Sequence, residues 1–499
     1  MRHDRRRILT AALTMLLFTG GWLAVQSARP ERTLELTHVS EWQTHTWYRL
    51  DGHGPSTTCE LQAGHHYRLV LGCLGEATQD HSVSVRLTAS RSSPRGDDRG
   101  VLNAEPLTRL VGPWSKPAIV FSPSSSPRDC SHQPLVGPRD FFLHVTDGDL
   151  DDPKQYARIT ADNMACGTRV RIFVDQQLAA GEVSQSRIDE LVSVLEDDVV
   201  PRVESQFGPL SDVDGDGCLA IVLTPWLSRL QGGRTSIGGM VRSSDFQRDV
   251  SPPLGNRCDM LFLNSSLPSD AALRDLLSHE VAHAACISQR LSRGIGKLRD
   301  EDDWLSEALA HLAEPGWTNL DHRLAAFLDD PSRFPLVVPD YYRAGLWRNP
   351  GCRGATYLFT RWCIEHRGPQ LVRQLAQSVE RGRKNIERAT GRQFEDLFRE
   401  WNLSLADGVE LTSPGLRSAL HRLASAGLQP TICHDASSKH TLQVRGTAFT
   451  IVDLLVDEPS PRTLRIAGDS TAKWQFSICR RPDGSHGRTQ NNTLAAIKP

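Results

Sequence analysis

The stretch Asp270-Ala271-Ala272-Leu273-Arg274-Asp275-Leu276-Leu277-Ser278-His279-Glu280-Val281-Ala282-His283-Ala284-Ala285-Cys286-Ile287-Ser288-Gln289 decides how this chain is read. Leu273, Leu276, Leu277, Val281, Ala284 and Ile287 recur at three- and four-residue spacings, which predicts a helix with an apolar face. Centred in it is His279-Glu280-Val281-Ala282-His283, an HExxH pattern. Residues four apart on a helix lie one above the other on the same face. Two imidazoles so placed can bind one Zn²⁺, and the Glu beside the first reaches a water on that metal. Zinc lowers the pKa of such a water to about 7. Glu280 is then suited to take its proton as the water attacks a carbonyl. Two histidines on a helix can equally be core or surface residues, so what surrounds them has to decide.

A zinc site of this kind needs a third protein ligand. The longer pattern HExxHxxGxxH fails, because Cys286 and Gln289 occupy the positions of its Gly and last His. That excludes the metzincin arrangement. The better candidate is Glu307, in Trp304-Leu305-Ser306-Glu307-Ala308-Leu309-Ala310, 24 residues beyond His283. The interval holds the end of one helix, a Gly-containing loop at 293–297 and the start of a second helix. That second helix can bring a carboxylate to the open side of the two imidazoles. His311, one turn further, is either a partner behind the ligands or a rival ligand. Glu301, Asp302, Asp303 and Glu314 read as solvated charges.

Outward from this region the pattern is strand, then helix. Val170-Arg171-Ile172-Phe173-Val174, Leu219-Ala220-Ile221-Val222-Leu223 and Met260-Leu261-Phe262-Leu263 read as strands, and Ser186 to Val203 has helical spacing. After Trp304 the chain is mostly helical to about Leu405. This order predicts an α+β domain over 168–410. From Leu34 to Val145 the pattern is short, alternating and broken by Gly, Pro and Ser, which predicts a β-rich, sandwich-like accessory domain over 30–165. Thr441-Leu442-Gln443-Val444, Ala448-Phe449-Thr450-Ile451-Val452 and Trp474-Gln475-Phe476-Ser477-Ile478 predict a small C-terminal β domain over 430–485, followed by a loose tail.

The chain has 499 residues, 39% apolar and 23% charged, which suits a folded protein of several domains. Its formal net charge of -2 gives no electrostatic case for a nucleic-acid partner. Arg2, Arg5, Arg6 and Arg7 precede an uncharged apolar run of 18 residues, Ile8 to Val25. Residues 1–28 therefore read as a secretory signal or as an uncleaved anchor that tethers the chain to a membrane. Either makes the protein exported: periplasmic, extracellular or anchored facing outward. The 11 cysteines fit an oxidising compartment, and no CxxC pair points to a zinc ribbon. Pairing of neighbours gives Cys59 with Cys73, Cys130 with Cys166, Cys218 with Cys258, Cys352 with Cys363 and Cys433 with Cys479, leaving Cys286 over.

HExxH followed by W-x-x-E-x-x-A resembles the gluzincin group of zinc metallopeptidases, and more of the chain is similar to one branch, the hyicolysin family. The similar stretch runs from about Arg169 to about Leu405. It includes Arg171-Ile172-Phe173-Val174-Asp175, Asp212-Val213-Asp214-Gly215-Asp216-Gly217, Met260-Leu261-Phe262-Leu263-Asn264, Gly354-Ala355-Thr356-Tyr357-Leu358-Phe359, and Thr390-Gly391-Arg392-Gln393-Phe394 with Trp401. The family usually has Asn-Glu-Gly where this chain has Ser306-Glu307-Ala308. The resemblance implies a zincin-like α+β domain, His279, His283 and Glu307 as Zn²⁺ ligands, Glu280 as general base, and a protein or peptide substrate. It also implies a Tyr or His that stabilises the oxyanion. Tyr357 is the candidate, with Tyr341 and Tyr342 as alternatives. Met260–Leu263 resembles the edge strand that pairs with an extended peptide in such clefts.

Asp212, Asp214 and Asp216 begin like a calcium loop, but the position of an EF-hand's bidentate Glu is Leu223, which excludes a full EF-hand. The turn is either a Ca²⁺ site or a plain turn before a strand. Two other functions stay open at this point. One is a non-catalytic binding or adhesion protein with the zinc helix as scaffold, which has no need of Glu280. The other is a zinc hydrolase of a non-peptide substrate.

Overall fold

A computed structural model describes residues 46–50, 55–89, 105–106, 137–146, 149–293, 300–316, 321–347, 349–407, 430–433, 439–456 and 460–481. The apolar run 8–25, Cys130 and the tail lie outside the described residues. The first strands are β1 (Trp47–Arg49), β2 (Ser56–Leu61), β3 (His65–Cys73), β4 (Asp80–Ala89) and β5 (Glu105–Pro106). Then come β6 (Arg139–His144), β7 (Tyr156–Cys166), β8 (Val170–Asp175), β9 (Leu219–Thr224), β10 (Gly239–Met240) and β11 (Met260–Asn264). Helices α1 (Gln185–Val194), α2 (Val200–Phe207) and α3 (Leu230–Gly233) fall among them. The helical region comprises α4 (Asp270–Leu291), α5 (Asp303–Ala313), α6 (Asp321–Asp329), α7 (Pro350–Arg367), α8 (Gln370–Ala376), α9 (Gly382–Thr390) and α10 (Phe394–Ala406). The chain closes with β12 (Thr431–Cys433), β13 (Lys439–Arg445), β14 (Phe449–Val456), β15 (Arg462–Gly468) and β16 (Trp474–Arg481).

The central cluster α4–α10 lies between β-rich regions, as the strand-then-helix order predicts. Its sheet has the order β10-β11-β9-β8-β7-β6. Strands β8, β9 and β11 run parallel, and β10 is antiparallel to β11. Continuous burial of β9 and β11 matches their unbroken apolar runs. The boundary read at residue 168 falls inside this sheet, because β7 pairs antiparallel with β8. The shift in pattern there marks a change from a half-exposed strand, β7, to a buried one, β8.

Beyond it, two sheets form a sandwich, with orders β12-β14-β3-β16-β1-β5 and β13-β4-β15-β2. Strand β3 lies between β14 and β16, and β4 lies between β13 and β15. Strands β1–β5 and β12–β16, read from the sequence as parts of two β domains, 30–165 and 430–485, thus share one sandwich. Neither set closes by itself, since β3 and β4 would each show two open edges. Tyr67, Leu69, Leu71, Val83 and Val85 pack there against Val452, Leu454, Leu464, Ile466, Phe476 and Ile478. The sandwich is joined to the helices through α10. Arg68 Nη1 donates to the Ala406 carbonyl at 2.7 Å, Arg399 Nη1 donates to Ser477 Oγ at 3.0 Å, and Phe449 meets Trp401 edge-on at 5.9 Å.

Among the described residues no helix is long and apolar enough to cross a membrane. The neighbour pairing of cysteines does not form. Cys59, Cys73, Cys166, Cys258, Cys352, Cys363, Cys433 and Cys479 are thiols, and so is Cys286. Cys218 is disulfide-bonded, to a residue other than Cys258. Sequence proximity fails here because Cys352 and Cys363 stand eleven residues apart on one helix, α7, while Cys433 and Cys479 lie in different cores.

Candidate metal centre

Helix α4 is buried on every side from Asp275 to Arg290, so its polar residues lie inside the molecule. Buried ionisable groups are costly unless paired, hydrogen-bonded or bound to metal. His279 and His283 stack one turn apart, with their Nε2 atoms 3.2 Å from each other. Helix α5 packs alongside and brings Glu307 Oε2 to 3.3 Å from His279 Nε2. One ligand atom each from His279, His283 and Glu307 lies within 4.8 Å of the other two. Two imidazoles and a carboxylate converging in this way are the donor set that zinc hydrolases use.

The other faces of these ligands are held. His279 Nδ1 lies 2.8 Å from Glu314 Oε1, and His311 Nδ1 lies 2.6 Å from the same oxygen. His283 Nδ1 lies 3.2 Å from Ser306 Oγ. With Nδ1 of each histidine turned to a protein oxygen, Nε2 of each is left to face the centre. Arg353 of α7 grips Glu307 with both guanidinium nitrogens, at 2.6 and 3.0 Å. Arg323 of α6 places Nη1 3.2 Å from His311 Nδ1. His311 Nε2 and Glu314 Oε2 are buried with no hydrogen-bond partner. His279, His311 and Glu314 form a second cluster of ligand atoms next to the first.

Burial opposes charge throughout this region, and neighbours decide the outcome. For His279, burial is outweighed by Glu307 and Glu314, which raise its pKa to about 9. Burial and the neighbouring His279 lower His283 to about 3. Burial, then Arg323, lowers His311 to about 3. For Glu307, burial is overcome by Arg353 and then by His279, and its carboxyl falls well below the usual range. The neighbours thus push the two imidazoles in opposite directions. The low pKa values of His283 and Glu307 keep both in the unprotonated forms that ligate metal.

The residues expected from the sequence take the following places. Glu280 is fully buried and lies against the edge strand, where a Cβ on Gly239 would sit 2.6 Å from its Cγ. Tyr357 is buried on α7, and the charges acting on it are Arg361, Glu314 and Glu365. Tyr341 is buried too, with Arg353 over its ring at 5.9 Å and Glu307 among the charges acting on it. Tyr342 is 54% exposed and stays outside. Strand Met260–Asn264 is not the sheet edge. β10 covers it, with Gly239 opposite Leu263 and Met240 opposite Phe262.

Of the acidic turn, Asp212 and Asp214 come together with Asp259 as a further candidate cation cluster. Asp216 does not join them. Its Oδ1 accepts from Cys218 N, and its Oδ2 lies 3.8 Å from Arg171. Asp214 is already paired with Arg139 at 2.8 Å.

Glu301, Asp303 and Glu314 correct the expectation of solvated charges. Glu301 accepts from Gly382 N, Asn385 Nδ2 and Arg290 Nη1. Asp303 Oδ2 accepts from Tyr341 N at 2.8 Å. Glu314 stands just past the end of α5, and nothing in the sequence signals its burial. Arg353 carried no such signal, since it comes from a helix more than forty residues on.

No family model matches the chain, and no curated protein does. A crystal structure of a substrate-bound M1 zinc metallopeptidase mutant from Deinococcus radiodurans is similar at 12% identity over 75% of this chain and 90% of that one, with a TM-score of 0.25.

Proposed function

We propose that this protein is a zinc-dependent peptidase of the gluzincin kind, acting on protein or peptide substrates. The observation that carries the reading is the convergence of His279 Nε2, His283 Nε2 and Glu307 Oε2 on one point inside the fold. The donor set fits Zn²⁺ and would hold it through those three atoms. When bound, zinc supplies Lewis acidity to water and to the scissile carbonyl. Glu280, one residue from His279, takes a proton from the attacking water and passes it to the leaving amine. Tyr357 is the sequence-based candidate for stabilising the oxyanion. Tyr341 is the second, supported by the Glu307 and Arg353 charges that act on it. An extended substrate pairs with the outer edge of β10, beside Glu280. His283 and Ser306 line a small cleft together with Gln247, Cys286, Ile287 and Asp300. The hyicolysin-like blocks and the apolar run 8–25 support an exported enzyme of that branch.

The test is elemental analysis of the purified chain beside casein hydrolysis with and without a chelator. The reading requires near one zinc per chain and cleavage that the chelator abolishes. Glu280→Gln is expected to keep the zinc and lose at least a hundredfold in hydrolysis. Full activity in that variant, or no zinc in the parent after loading, refutes the reading.

A further inference from the structure

Glu307 is a carboxylate whose two oxygens could present themselves to the neighbouring imidazoles in several ways. Arg353 removes that freedom. Its Nη1 lies 2.6 Å from Oε2 and its Nη2 lies 3.0 Å from Oε1, a two-pronged grip that fixes the carboxylate plane. In that plane Oε2 stands 3.3 Å from His279 Nε2, on the side where the His283 nitrogen also lies. Arg353 is itself built into place. It is 5% exposed, and Tyr341 lies under its guanidinium. The next residue, Gly354, is pressed so close to α6 that a Cβ would sit 2.2 Å from the Arg323 carbonyl oxygen. The close approach of α6 and α7 therefore sets where the fork points.

We infer that Arg353 is a positioning residue of the metal centre, holding Glu307 so that Oε2 is presented as a ligand. A planar fork matches a carboxylate in a way an ammonium does not. Partners of this kind behind a ligand typically contribute ten- to a hundredfold in metal affinity. The opposite expectation is also physical: a guanidinium on the ligand could compete with the metal for it. The two differ in sign.

This inference rests on the zinc reading, and the test separates them. Zinc affinity is measured by competition with a chromophoric chelator for the full chain and for Arg353→Met and Arg353→Lys. The absorption bands of the Co²⁺-loaded proteins report ligand geometry, and melting of the metal-free proteins reports folding. Arg353→Met is expected to bind zinc at least tenfold more weakly, with altered Co²⁺ bands. Arg353→Lys keeps the charge but not the fork, so it should also bind more weakly with altered bands. Unchanged or tighter binding in Arg353→Met overturns the inference and makes Arg353 a structural or competing cation. A Lys variant equal to the parent in both affinity and bands overturns it as well, because charge alone would then suffice. If Arg353→Met does not fold, the Lys variant carries the test. Failure of the parent chain to bind zinc would be a failure of the zinc reading instead.

Discussion

Glu314 Oε1 sits between His279 Nδ1 and His311 Nδ1, which makes it the carboxylate that orients the first histidine. An amide in its place keeps the volume but loses the charge that accepts from the imidazole. Glu314→Gln should therefore weaken zinc binding by ten- to a hundredfold, measured by chelator competition. An unchanged affinity would show that His279 needs no such partner. A second prediction concerns Asp275, fully buried one turn before His279, with Gly316 N donating to it at 2.7 Å. Burial pushes its carboxyl up to about 6. As pH rises from about 4 to about 6, the unfolded chain ionises this group while the folded chain keeps the proton, so stability falls over that window and then levels. Asp275→Asn should remove that fall, which amounts to about 3 kcal/mol at most. Melting of the metal-free protein across this pH range reads it directly. Less stabilisation at pH 7 than at pH 4 would contradict the assignment. His279, His283 and Glu307 could be singled out from the sequence as candidates because two lie at fixed spacing on one helix and the third follows in an apolar helix, and the fold brings the three together. Glu314 and Arg353 could not be placed, because a buried ion pair and an exposed charge have the same letters.

At the scale of elements, the position of β10 matters most. A two-residue strand leaves almost no periodic signal, so Met260–Asn264 passed for the edge although its unbroken apolar run already suited an interior strand. Gly239 lets β10 lie against α4 only because it has no side chain. An added Cβ would stand 2.6 Å from Glu280 Cγ, near the root of that side chain rather than its flexible end. Gly239→Ala should displace Glu280, cutting hydrolysis at least tenfold while zinc content stays near one per chain. Loss of zinc together with activity would mean that the change distorts α4 as a whole. Strands β6 and β7 were assigned to the preceding region for a related reason. Their alternating burial resembles that of the sandwich strands, and only the ladder of β7 on β8, from Ala161 opposite Asp175 to Cys166 opposite Arg171, ties them to the central sheet.

For the whole molecule, the α+β character and the β-rich flanks followed from local pattern, whereas the union of the flanks did not. Strand pairing across more than 360 residues has no local signature. A chain ending at Pro430 would keep β3 and β4 but lose every strand that borders them. It should lose cooperative melting and solubility, not merely shed an appendage, because Phe449 packing on Trp401 goes as well. Circular dichroism melts and sedimentation of the shortened chain are the check. An unchanged melt would show that the helical region stands without its sandwich.

The same braid sets an order of events during synthesis. The strands first off the ribosome are the ones that must wait longest, since β3 has neither neighbour until Phe449 to Arg481 have been made. A chain interrupted late is therefore not a nearly finished protein but one with its earliest apolar strands still bare, in the form that chaperones and proteases recognise. The finished molecule has the converse property. A cut in the long middle of the chain leaves both fragments clasped by their outermost strands, so a nick need not part them.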